Sequence, residues 1–201
     1  KEKKRNLLSV YNEKLAEVGL KIQEKRKILI DDFNRTFSFY YQAISGQEIN
    51  MRIVYTPSWK GKDKPGEVLD FLHEKMEYDI DTGLTSTGPH RDLIYYKVGQ
   101  HNFTLTASTG QLRLISIVLR IAQARYFFEK TKRKPVLLID DVLLELDYTK
   151  RVMFYQRITD VEQVFFTFLP DESFITSEKG DIIKYYIKNG EIGHWTKQEV
   201  Y

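Results

Sequence analysis

The sequence contains no cysteine, which excludes both a disulfide framework and a thiolate metal site. Its four histidines are scattered over 201 residues and never fall at ligand spacing, so no histidine metal cluster can be read from it. No apolar run approaches the roughly 20 residues needed to cross a bilayer, and the N-terminal stretch lacks the apolar core of a signal peptide. A large excess of one charge is also missing. With 31 Lys and Arg against 28 Asp and Glu, the whole-chain balance is too even to argue for nucleic acid. A phosphate-cradling loop of the form Gly-x-x-x-x-Gly-Lys-Ser/Thr is absent too. The only Gly-Lys pair, Gly61-Lys62, is followed by Asp63 and has Thr56 where the first glycine belongs. The first methionine is Met51, and the chain opens on Lys1-Glu2-Lys3-Lys4-Arg5, the charged flank of a helix already under way. The expectation is a C-terminal portion of a longer protein.

What is present suffices for a folded chain, since 42% of the residues are hydrophobic. From Leu8 the apolar positions run Tyr11, Leu15, Val18, Ile22, Leu29, Phe33, Phe37, Tyr40 and Ile44, the spacing of one helical face. They predict a long arm helix ending at a Ser45-Gly46 cap unless Gly19 breaks it. Residues 1–45 hold ten basic and six acidic side chains, so the arm is the basic part. A strand over 49–55, a loop over 57–66, a helix from Val68 to about Gly83 and a hairpin of 93–96 with 103–105 about Gly99 follow. A third helix spans about 108–130. Val136 to Ile139 then reads as a short buried strand, with a helix over 149–158, a strand over 164–168 and a last hairpin at Asn189-Gly190. The aromatics Phe37, Phe39, Tyr40 and Tyr41 are expected to anchor the arm in a core.

Two places carry chemistry. Val136-Leu137-Leu138-Ile139-Asp140-Asp141 brings two carboxylates to the C-terminal end of a strand, where α/β sheets bind ligands, and has the form of a Walker B motif. Asp140 would hold Mg²⁺ and Asp141 would orient or deprotonate a water; a turn-leading or helix-capping Asp-Asp is the plain alternative. Ala107-Ser108-Thr109-Gly110-Gln111-Leu112-Arg113 opens an amphipathic helix whose free N–H groups and dipole favour a phosphate, with Gly110 removing an obstructing side chain. The plain alternative is that Ser108 is only an N-cap.

Order and spacing link these segments. Ser108-Thr109-Gly110-Gln111, then Asp140-Asp141, then Leu144-Glu145-Leu146-Asp147 are similar to the signature, Walker B and D-loop of ATP-binding-cassette ATPases. Together with Thr87-Gly88-Pro89-His90-Arg91-Asp92-Leu93 they resemble the RecF family of bacterial recombination mediators, and the resemblance spans nearly the whole chain.

That resemblance implies an α/β fold: part of an SMC-like ATPase head. Residues 1–130 would be the helical lobe with the arm and signature, and 131–201 the C-terminal part of the ATPase lobe, the Walker A half being absent. It implies ATP and Mg²⁺ as cofactors, an ATP-dependent homodimer, single- and double-stranded DNA, RecR with RecO as partners, and support of RecA loading at single-strand gaps in the cytoplasm. Ser108, Gly110 and Gln111 would bind nucleotide in trans, Asp147 would be the D-loop aspartate, Asp140 the metal residue and Asp141 the catalytic one. Without a Walker A, no autonomous hydrolysis is expected. The departures are Ala107 and Thr109 in the signature, an Asp92-Leu93 that follows Arg91 one residue early, and no switch histidine in 164–169, where Thr167 is the candidate sensor. His90 reads as a turn residue or a phosphate contact. Lys60, Lys62, Lys64 and the basic face of 1–27 read as phosphate contacts or as solvated surface. The alternative function is a non-catalytic interaction module with degenerate ATP motifs.

Overall fold

A computed structural model describes residues 2–140, 146–168 and 182–198. The elements run α1 (Glu2–Asn34), α2 (Phe37–Ser45), β1 (Met51–Thr56), α3 (Pro65–Thr82), β2 (Leu93–Val98), β3 (His101–Asn102), α4 (Thr109–Thr131), β4 (Val136–Ile139), α5 (Tyr148–Arg157), β5 (Gln163–Phe166), β6 (Ile182–Lys188) and β7 (Glu191–Gln198). The chain divides into two compact units, one of residues up to 39 with 48–107, the other of 40–47 with 108 onward.

In the first unit α1 packs along α3 and β1, and β1-β2-β3 form an antiparallel sheet in that order, with Met51 opposite Val98 and Thr56 opposite Leu93. The arm helix is not continuous to residue 45. It passes Gly19 without a break and ends at Asn34, where Arg35 and Thr36 turn back on the Asp32 and Phe33 carbonyls at 3.3 and 3.2 Å. The turn coincides with a long-range bond pair. The Asn34 side-chain amide donates to the Ile53 carbonyl and its oxygen accepts from the Ile53 N–H, both at 2.8 Å, as a neighbouring strand would. Gly46 then caps α2 in the left-handed region, φ 70°, its N–H on the Gln42 carbonyl.

The apolar stripe read for α1 is only partly its buried face. Tyr11, Val18 and Ile22 are exposed, whereas Ala16, Gly19 and Gln23 are buried. Small residues face inward because Trp59 fills the space above them: a Cβ on Gly19 would lie 2.5 Å from the indole ring. Trp59, Ala16, Val68 and Leu72 make the core of this unit. The loop over 57–66 thus supplies its central side chain. The expected hairpin holds only in its first arm, since 103–105 is a 3₁₀ turn after a two-residue β3. Phe37, Tyr40 and Tyr41 are buried as expected, but Phe39 is exposed.

A second tie organises this unit. Asp92, almost wholly buried, accepts from Arg26 at 2.6 Å, from Gln23 at 3.1 Å, from the Tyr55 hydroxyl and from the Ser58 N–H at 2.8 Å. Burial first, and the Asp92 carboxylate next, push the Tyr55 phenol above its ordinary value and keep it a donor.

In the second unit α4 buries Leu114, Ile115, Ile117, Val118, Ile121, Ala122 and Ala124. β4 and β5 pair in parallel, Val136 opposite Gln163 and Ile139 opposite Phe166, and β6-β7 form the last hairpin. The expectation of a buried β4 fails among the described residues. Only Ile139 is buried, while Val136 is 52% and Leu138 77% exposed, because β5 is its one described neighbour and leaves an apolar face uncovered.

Candidate functional site

The N-terminus of α4 is built as a capping box. Ser108 Oγ accepts the Gln111 N–H at 3.3 Å, and Gln111 Oε1 accepts the Ser108 N–H at 2.9 Å. The plain role foreseen for Ser108 is therefore realised, and Gln111 is its reciprocal partner. Gly110 lies between them and has no such role. Its φ is not positive, and a Cβ placed on it would meet no atom within 4 Å. Gly within a helix costs roughly 0.5–1 kcal/mol relative to Ala, so neither this fold nor its local packing accounts for the residue.

Ser108, Gly110 and Gln111 line a concavity of about 200 Å³ within the second unit, shared with Tyr41, Ser45, Gln47, Leu114, Leu146, Asp147 and Lys150. The signature-like turn and Asp147, the aspartate expected in a D-loop and 36 residues beyond Gln111, thus open onto one space. Asp147 is the N-cap of α5, accepting the Lys150 N–H at 3.0 Å, and its second oxygen pairs with the Lys150 ammonium. That hydrogen bond to the Lys150 ammonium, ahead of the backbone one, holds the Asp147 carboxyl below its usual range. Lys150 carries little signal in the sequence. Its only signal there is a lysine three residues after an N-cap aspartate, a spacing that reaches back to the cap.

At the C-terminal ends of the parallel pair, Asp140 is exposed and accepts the Thr167 hydroxyl at 2.6 Å, while the Thr167 N–H bonds the Ile139 carbonyl at 3.1 Å. One carboxylate on a fixed strand end, oriented by a hydroxyl donor, fits Mg²⁺, which takes one or two carboxylates and fills its octahedron with water and phosphate. Among the described residues no three acids or histidines converge on a metal position. Asp141, Leu144 and Glu145 lie outside the described residues.

The other candidates fall in the first unit. His90 Nε2 and Arg91 Nε both meet the Thr85 carbonyl, at 2.9 and 3.1 Å, while Thr87 and Gly88 are tied to the Ser58 hydroxyl. The Gly88-Pro89-His90-Arg91 segment is thereby a braced turn leading into Asp92. Lys60, Lys62, Lys21, Lys27 and Arg52 line a larger concavity of about 1250 Å³, but Glu17, Glu24, Asp31 and Asp63 line it too, and Lys21 is paired with Glu17. Its charge is mixed rather than basic.

No protein-family model matches the chain. Among curated proteins it is similar to the DNA replication and repair protein RecF of Treponema pallidum, 38% identical over 190 residues, covering 94% of this chain and 53% of that protein. RecF of Leptospira interrogans is 33% identical over 160 residues, covering 80% and 43%, and RecF of Lactobacillus delbrueckii subsp. bulgaricus 32% over 197, covering 92% and 51%. The chain spans about half the length of the curated relatives it matches. Among solved structures it is similar to the recombination mediator protein RecF-ATP in the RecFOR pathway, with a TM-score of 0.72 and 23% identity over 96% of this chain and 51% of that one. A RecF-ATPrS structure of the same pathway gives 0.73 over 93% and 50%. At that identity these structures establish the fold alone, a mixed α/β arrangement matching about half of each of those chains.

Proposed function

Because the chain belongs to the RecF family of DNA replication and repair proteins, we propose that it carries the signature, Walker B and D-loop portion of an ATP-operated switch acting on DNA. The observation that carries this reading is Gly110, a helix-weakening residue that the fold does not require, at the mouth of a concavity also lined by Ser108 and Asp147. A missing side chain there admits a close approach from outside, and the N–H groups and dipole of α4 favour a phosphate as the visitor.

The phosphates come from ATP held on a Walker A loop of a second subunit, with Ser108, Gly110 and Gln111 meeting them in trans. Nucleotide then joins two like-charged helix ends that would otherwise repel. Asp140, steadied by Thr167, would hold Mg²⁺ through its water shell, and the ion when bound supplies positive charge to the phosphate oxygens. Asp141 orients or deprotonates the attacking water. Hydrolysis of ATP to ADP and phosphate resets the dimer, and it requires the Walker A that residues 1–201 lack. The family name and the RecFOR pathway of the structural relatives support a role on DNA with RecO and RecR as partners; the reading extends this to single- and double-stranded DNA as substrate and RecA loading at single-strand gaps as outcome. In this reading residues 1–130 belong to the helical lobe and 131–201 to the ATPase lobe.

One observation favours the second reading, a non-catalytic module. Ser108, Gln111 and Asp147 all cap helices and so have structural uses of their own. Ser108→Arg in the full-length protein separates the two. The switch reading expects ATP-driven dimerisation to be lost while ATP binding is kept, with Asp141→Asn trapping the dimer. Dimerisation unchanged by Ser108→Arg, measured by analytical ultracentrifugation, would leave the module reading.

A further inference from the structure

The concavity shared by Ser108, Gly110 and Gln111 has one anion and one cation in its lining, Asp147 and Lys150. A triphosphate entering this space brings several negative charges toward the Asp147 carboxylate. That carboxylate cannot retreat, because its other oxygen caps α5 through the Lys150 N–H at 3.0 Å. A neutral signature turn does not offset the repulsion. The Lys150 ammonium already sits on Asp147, and its side chain is only 35% exposed, so it is partly withdrawn from bulk screening. An ammonium has three donors on a flexible stem and can bridge two anions at once, which a guanidinium committed to one carboxylate does less readily.

We propose that Lys150 is a phosphate-binding residue of this site, bridging Asp147 to the phosphate of an incoming nucleoside triphosphate so that a D-loop carboxylate and the nucleotide can share one mouth. The inference rests on the reading of the concavity as the trans half of an ATP site. Lys150 therefore does two things: it keeps Asp147 in place as the cap of α5, and it supplies the counter-charge that the α4 N-terminus delivers only as a partial charge.

The test uses the full-length protein, with ATP-driven self-association followed by analytical ultracentrifugation across ATP and salt concentrations. Lys150→Gln is expected to raise the ATP needed for half-maximal association roughly tenfold and to flatten its salt dependence, with Lys150→Arg recovering only part of the loss because its guanidinium bridges two anions less readily. Removing the repelling carboxylate as well, in Asp147→Asn with Lys150→Gln, is expected to restore part of the affinity lost by Lys150→Gln alone. If Lys150 serves only to hold Asp147, then Asp147→Asn will match Lys150→Gln and the double variant will recover nothing, which overturns the proposal. Ser108→Arg is run alongside. Association lost in Ser108→Arg but untouched in Lys150→Gln defeats this inference and spares the ATP reading, whereas association untouched in Ser108→Arg identifies the failure as that of the reading itself. Thermal unfolding of each variant confirms that it is folded, and Lys150→Met stands in if Lys150→Gln is not.

Discussion

Gly19 and Gly110 are both helical glycines with opposite reasons for being there. Gly19 is filled from within: a Cβ would stand 2.5 Å from the Trp59 ring, so Gly19→Ala should lower stability by about 1–3 kcal/mol despite the better helix propensity of alanine, seen as a lower urea midpoint. Gly110 is open, so Gly110→Ala should leave the chain equally stable or up to about 1 kcal/mol more stable while weakening ATP-driven association of the full-length protein. The opposite signs make the pair a sharp check on which glycine serves the fold. Titration of Asp147 supplies a third residue-level expectation. Its carboxyl is held below the ordinary range by Lys150, so the contribution to capping α5 is fully present above an unfolded carboxylate value of about 3.9 and is lost as pH falls through the lower folded value. Hydrogen exchange in the first turn of α5 should accelerate only in that acid range. Protection already lost at pH 5 would show that the pair does not hold.

At the level of elements, α3, α4 and the last hairpin were legible in the sequence because their signals are local: Gly83 stops α3, Ser108 with Gln111 opens α4, and Asn189-Gly190 turns the hairpin. The break after Asn34 was not legible. Nothing near residues 35–36 forbids helix; the turn goes with a bond between Asn34 and Ile53, 19 positions away, which no periodicity reports. The inward face of α1 escapes its apolar pattern for a related reason. Ala16 and Gly19 are buried because a distant indole covers them, and small residues add little to an apolar pattern. The site shows the same division. The signature-like turn, Asp140 and Asp147 stand out in the sequence as motif positions, but the Asp140–Thr167 bond and the place of Lys150 come from tertiary placement. The Asp92 tie between α1, β1 and the braced turn yields an element-scale prediction. Asp92→Asn should cost about 2 kcal/mol, less than a fully buried pair because Arg26 keeps access to solvent, with an unchanged urea m-value. An m-value that drops instead would mean that the first unit unfolds apart from the rest.

For the whole molecule, the proposed reading makes this chain, with a signature but no Walker A, half of a nucleotide site. The 201-residue chain by itself should show no stoichiometric ATP binding by calorimetry, and micromolar affinity there would overturn the division of labour proposed above. Such measurements must reckon with the open side of the parallel pair. Leu138 is 77% exposed and Val136 and Phe165 about half so, on two short strands with unoccupied flanks among the described residues. Surfaces of that kind stick to their own copies. Handled at high concentration, this polypeptide should therefore cluster whether or not nucleotide is added, and a clasp that depends on ATP can be recognised only as the increment above that background stickiness.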